Sequence, residues 1–126
     1  MPPPRPRVLL AEDHPAVAKA MGRILSLDCD VVEIVADGAV VVDAWQRHRP
    51  VVAVVDVNLP NVSGLDICRD ITGADPRAKV IVITGMLDET IRDEALAAGA
   101  TGFFPKFAPG DDLLAAIRRA WTESER

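Results

Sequence analysis

Four short apolar runs in this chain each end on a residue able to do chemistry. RVLLA leads into Glu12 and Asp13, VVAVV into Asp56, KVIVI into Thr84, and TGFFP into Lys106. Three carboxylates brought close together repel one another, which raises a pKa or calls for a cation. An all-oxygen donor set suits a hard ion such as Mg²⁺, which binds a few carboxylates and keeps several of its waters. A lysine and a hydroxyl beside them would complete a pocket for a small oxyanion. A carboxylate can itself attack a phosphoryl group to form an aspartyl phosphate, while the metal and the ammonium neutralise charge on the equatorial oxygens. All of this requires the five residues to meet at one place, and the elements that carry them decide whether they do.

The runs read as strands. Residues 7–11 form the first, and 28–35 contain the second, VVEIV, in which Glu33 marks an edge position. Residues 51–55 form the third, the most uniformly apolar, as expected of a strand buried on both faces of a parallel sheet. Residues 79–83 and 101–104 form the fourth and fifth. Helical patterns separate them. His14-Pro15 opens the first, with Asp13 or His14 as cap and Val17, Met21, Ile24 and Leu25 as the inner stripe. The turn Asp37-Gly38 precedes a helix over 39–47, with Val41, Ala44, Trp45 and His48 on one face. Ser63 caps a helix over 64–72, with Leu65 and Cys68 inward and Asp66 well placed in the first turn. The next spans 88–98, with Ile91, Ala95 and Leu96 inward, and Gly99 closes it in a left-handed cap. Pro109-Gly110-Asp111 starts the last, 112–122, striped by Leu113, Leu114, Ile117 and Trp121.

Strands alternating with helices imply a parallel sheet covered on both faces, with right-handed crossovers. Function in such sheets gathers outside the carboxyl ends of the strands. Glu12, Asp13, Asp56, Thr84 and Lys106 all fall on that edge. The 126 residues allow one domain, expected over 7–122, with a flexible Pro-rich leader at 1–6 and a polar tail or linker start at 123–126. A net charge of −5 argues against a nucleic-acid surface. Cys29 and Cys68 have no metal or CxxC spacing and read as ordinary residues of a reducing compartment. MPPPRPR lacks the apolar core of a signal peptide, and no apolar run is long enough to span a membrane, so the expected compartment is the cytoplasm.

The stretches LLAEDHP, VVDVNLPNVSGLD, VIVITG and AGATGFFPK resemble the response-regulator receiver domain of two-component signalling, and the resemblance covers 7–121. It implies a doubly wound, three-layer (βα)5 sandwich of flavodoxin-like type, with strand order 2-1-3-4-5. It also implies that Asp56 accepts a phosphoryl group from a sensor histidine kinase or phosphotransfer protein. Asp13, Asp56 and the Asn58 carbonyl would hold Mg²⁺, with Glu12 acting through water, and Thr84 and Lys106 would contact phosphoryl oxygens. Phe103 falls at the aromatic switch position. The output face would comprise the fourth helix, fifth strand and last helix, where Asp88, Arg92, Asp93 and Arg118 lie, and a homodimer is one possible output. Such a protein catalyses its own phosphorylation and dephosphorylation without being a conventional enzyme. The DHP triplet resembles receivers attached to helix-turn-helix DNA-binding domains.

Two positions depart from the family. Phe107 follows Lys106 where the family has proline after a cis bond; cis there would cost about 3 kcal/mol over trans, so a different loop geometry is expected. Met86, two residues after Thr84, flanks with Asn58 the family's path of hydrolytic water, and an apolar side chain there is expected to slow loss of the phosphoryl group. Other readings carry less. His14 reads as a cap or loop residue and His48 as a helix-end surface residue. Asp56-Val57-Asn58 resembles the nucleophile loop of haloacid-dehalogenase-like phosphatases, but Asn58 cannot serve as its general acid. A dinucleotide site would need a Gly-rich turn where Glu12-Asp13 stand. Two alternatives to a phosphorylated switch remain: an unphosphorylated interaction module, motivated by the altered lysine loop, and the receiver portion of a DNA-binding regulator. Nothing in these residues is expected to bind DNA directly.

Overall fold

The Val- and Ile-rich runs form one five-stranded sheet in the computed structural model, which describes residues 4–106 and 110–124. The strands are β1 (Arg7–Ala11), β2 (Asp30–Val35), β3 (Val52–Asp56), β4 (Lys79–Thr84) and β5 (Gly102–Pro105). They lie in the order β2-β1-β3-β4-β5, and every pairing is parallel. The expected doubly wound architecture is therefore observed. Between the strands run α1 (Pro15–Leu25), α2 (Val41–His48), α3 (Gly64–Ala74) and α4 (Glu89–Ala97), and α5 (Gly110–Ser124) closes the fold.

Side chains alternate across a strand, and the sheet divides the core accordingly. Leu9, Ala11, Ala53, Val55, Val80 and Val82 pack on one face with Trp45, Ile67, Ile71 and Ala95 from α2, α3 and α4. Val8, Leu10, Val52, Val54, Ile81 and Ile83 pack on the other with Met21 and Leu25 of α1 and Leu113 and Ile117 of α5. Every residue of β3 is buried, including Asp56 at its end. At the edge, β2 carries the expected polar position: Glu33 Oε1 meets Arg47 at 3.0 Å and the His48 ring at 2.6 Å.

Local signals set most helix ends. His14 is the cap of α1, its ring nitrogen accepting from Val17 N–H at 3.4 Å. Ser63 Oγ accepts from Asp66 N–H at 3.2 Å at the start of α3. Gly99 has φ +99° after α4, the left-handed value that glycine tolerates. Helix α2 starts later than expected: Gly38–Val40 forms a 3-10 turn, and α-helix begins only at Val41.

Two inward assignments need correction. Leu96 is 47% exposed, because α4 packs through Ile91, Ala95 and Ala98, a spacing of four and three that leaves position 96 off the stripe. Leu65 is half-buried and packs against the core as expected, and Ile67 and Ile71 join Cys68 on the inner side of α3. Trp121 is also half-buried, while Ala116 and Ala120 supply the missing part of the α5 stripe. Helix α5 continues through Glu123 and Ser124, and Pro6 is buried with its carbonyl accepting from Asp30 N–H at 2.9 Å. Residues 1–3, 125 and 126 of the expected leader and tail, and Pro109 at the expected start of α5, lie outside the described residues. Among the described residues no helix is long and apolar enough to cross a membrane. Both cysteines are free and buried, and burial pushes each thiol up to about 11.

Candidate functional site

Parallel strands of similar length end at the same edge of a sheet, so the residues that follow β1, β3, β4 and β5 become neighbours. Glu12 continues β1, its N–H donating to the Val35 carbonyl of β2 at 2.9 Å. Asp56 ends β3, and Thr84 ends β4. The Lys106 N–H donates to the Thr84 carbonyl at 2.8 Å, carrying the strand pairing one residue past β5. Glu12, Asp56 and Thr84 are the buried polar residues of the described structure, at 1%, 1% and 2% exposure. Such burial needs partners, because an unpaired buried carboxylate is costly.

Lys106 supplies the main one. Its ammonium lies 2.5 Å from Glu12 Oε1 and 2.7 Å from Asp56 Oδ2. Those two oxygens have no further hydrogen-bond partner among the described residues, so one cation serves two buried anions. The remaining oxygens turn to backbone: Asp56 Oδ1 accepts from Asn58 N–H at 3.1 Å, and Glu12 Oε2 from His14 N–H at 3.4 Å. Asp13 is exposed, yet one oxygen each of Glu12, Asp13 and Asp56 lie within 4.8 Å of one another. Three carboxylates against one ammonium leave an excess of negative charge, and the donors are all oxygen. The set fits a hard divalent cation.

The electrostatics agree. Burial, reinforced by the neighbouring Asp56, raises the Glu12 carboxyl above the ordinary glutamate range despite relief from Lys106. For Lys106, burial works against the charged form, but Asp56 and Glu12 outweigh it and raise the ammonium above the ordinary lysine value. The site thus holds a firmly charged lysine beside a buried acid whose ionisation is opposed by burial.

Thr84 differs. Its hydroxyl donates to the Met86 carbonyl at 2.9 Å and accepts from Met86 N–H at 3.2 Å, closing a small ring with the loop that follows β4. Met86 itself is 75% exposed. Phe103 is half-buried against the α2–α3–α4 side of the core, while Phe104 packs on the α1–α5 side. The expectation that a non-proline at 107 alters the lysine loop concerns a bond outside the described residues, but Lys106 reaches both carboxylates.

The sequence reading missed the residues that fix the Asp56 backbone. A Cβ added at Gly64 would collide with the Asp56 carbonyl oxygen, and Gly64 N–H donates to the Val57 carbonyl at 2.9 Å. Helix α3 therefore begins pressed against the carboxylate-bearing strand, an approach that requires glycine. The local hint was a glycine directly after the Ser63 cap.

The family model of the response regulator receiver domain matches residues 8–118. The response regulator MprA of Mycobacterium tuberculosis is 33% identical over 112 residues, 89% of this chain and 49% of MprA. The DNA-binding transcriptional activator DevR/DosR of the same organism is 30% identical over 115 residues, 89% of this chain and 52% of that protein. The chain spans about half the length of these curated relatives. Among solved structures, the signal receiver domain of NarL from Mycobacterium tuberculosis superposes with a TM-score of 0.87 at 28% identity, covering 93% of this chain and 96% of that one.

Proposed function

Since the chain belongs to the response regulator receiver domain family, we propose that it is a phosphorylation-driven switch with Asp56 as the phospho-acceptor. The observation that carries this reading is the buried Asp56 carboxylate bridged by Lys106 to Glu12. An Asp56 oxygen attacks the phosphorus of a kinase's or phosphotransfer protein's phosphohistidine. The O–P bond forms as the N–P bond breaks, and the imidazole leaves. Glu12, Asp13, Asp56 and the Asn58 carbonyl would hold Mg²⁺, which supplies positive charge to the phosphoryl oxygens when bound. Lys106 already lies on Asp56 and pairs with the added negative charge without moving far. Thr84 must release Met86 before its hydroxyl can do the same.

That release is the switch step. Moving the Thr84 loop changes what packs between α4 and β5, and Phe103 follows into the vacated side. The face of α4, β5 and α5 then changes its affinity for an output partner or a second copy, in the cytoplasm. A further reading is favoured by the relatives: the chain is the receiver portion of a transcription regulator. MprA and DevR/DosR are about twice the length matched, and the latter is a DNA-binding activator. The unphosphorylated module loses its motive, because Lys106 reaches Asp56 despite Phe107.

Incubation with acetyl phosphate and Mg²⁺, followed by intact-mass measurement, tests the main reading. The wild type should gain one phosphoryl group and Asp56→Asn none. An unlabelled wild type, or equal labelling of both, would overturn the assignment of Asp56.

A further inference from the structure

The loop that follows Asp56 is tied down at its tip by a region of sequence the catalytic set does not include. Asp37 lies two residues past the end of β2, directly before the 3-10 turn, and divides its two carboxylate oxygens. Oδ1 accepts from Ala39 N–H at 2.8 Å and caps that turn, while Oδ2 accepts from the side-chain amide of Asn61 at 2.8 Å. Next to it, Gly38 N–H donates to the Pro60 carbonyl at 3.0 Å. The approach is close enough that a Cβ at Gly38 would collide with the Val62 carbonyl oxygen. Asn61 holds a left-handed backbone, φ +70°, which asparagine adopts more readily than most residues. Its backbone shape and its tether are therefore one device.

We infer that Asp37 and Asn61 form a clamp that positions the Asn58 carbonyl, so that divalent-cation binding at Asp56 depends on residues outside the pocket. This rests on the reading of Asp56 and its neighbours as the cation and phosphoryl site. The mechanical argument is short. Asn58 is held on one side by its own N–H to Asp56 Oδ1, and Leu59 and Pro60 alone separate it from the clamped tip. On the far side Gly64 N–H to the Val57 carbonyl closes the loop. With these ties the carbonyl of Asn58 has little room to move; without the clamp the tip is held by the Gly38–Pro60 bond alone and can turn about it. A ligand held in place before the ion arrives loses less freedom on binding, and groups that orient metal ligands govern affinity from outside the coordination sphere. The Asn61 amide and the Ala39 N–H also hold the Asp37 carboxyl below the ordinary aspartate range, so the clamp stays charged through the physiological range. Asp37 and Asn61 are positioning residues, since neither is proposed to touch the ion.

The test is calorimetric titration of the full chain with MgCl2, at a temperature where circular dichroism shows every variant folded. Asn61→Gly keeps the left-handed backbone and removes the tether; Asp37→Ala removes it from the other side. Both should bind Mg²⁺ roughly three- to tenfold more weakly than wild type. The exchange Asp37→Asn with Asn61→Asp restores the bond with donor and acceptor reversed, and should recover affinity. A purely structural role would move thermal stability without this pattern. Equal affinity in wild type and both single variants would overturn the clamp while leaving the assignment of Asp56 intact, as would weakening that the exchange does not rescue. A wild type that takes up no Mg²⁺ would overturn both.

Discussion

Two loops leave adjacent central strands and face the same pocket, yet they are built in opposite ways. The loop after β3, residues 57–63, is tied to its surroundings at Asn61, Pro60 and Val57. The loop after β4 runs through Gly85, Met86 and Leu87, all exposed, and its side-chain bonds stay within residues 84–90. The first carries the carboxylate and the second follows the hydroxyl. A nucleophile and a cation site work best when their geometry is fixed in advance. A switch element must have two arrangements close in energy, and few crossing contacts make that possible. The loop that carries the proposed phospho-acceptor is thus tied to its neighbours, and the loop that follows the proposed switch threonine is tied mostly to itself. Lys106 joins the two, with its backbone on Thr84 and its ammonium on Asp56.

Glycine substitutions should separate the loops most sharply. Gly64→Ala forces a methyl group into the Asp56 carbonyl, and should cost roughly 2–3 kcal/mol in urea unfolding. Gly85 has nothing within 4 Å of an added Cβ, so Gly85→Ala should stay within about 1 kcal/mol of wild type. Similar losses at both positions would remove the contrast.

The buried acid of the pocket gives a pH signature. Because burial and Asp56 raise Glu12 in the folded protein, its unfolded counterpart releases a proton at lower pH. Stability from this group is complete below the ordinary glutamate value and is lost as pH rises through the raised one. Glu12→Gln should therefore be more stable than wild type at neutral pH without Mg²⁺, with the advantage fading in acid. Lys106 does not confuse the comparison, since its raised value keeps its contribution in place until alkaline pH. Unfolding curves at several pH values check this, and a constant difference would contradict it.

In the loop after β4, Met86→Glu should leave stability within about 0.5 kcal/mol, as for an exposed position. Loss of the phosphoryl group should become severalfold faster, because a carboxylate can orient the attacking water where a thioether cannot. Following the labelled protein by mass over time measures it, and an unchanged rate would separate Met86 from the reaction.

Much of this was legible in the residues alone. Short apolar runs located all five strands, and signals such as Pro15, Ser63 and Gly99 located the ends of the helices between them, because both act within a few residues. The same locality placed Glu12, Asp56, Thr84 and Lys106 at strand ends, and strand ends share an edge in any parallel sheet. The helical stripes were less legible where a small residue faced inward, as Ala95 does while Leu96 lies outside. What only the tertiary structure decided are distances between segments far apart in the chain. The amide of Asn61 meets Asp37 24 residues away, Gly64 packs on the Asp56 backbone, and one ammonium spans Glu12 and Asp56. No local pattern encodes such contacts, because they depend on how closely neighbouring elements pack. Asp37 reads as a turn residue in sequence, and packing gives it a partner.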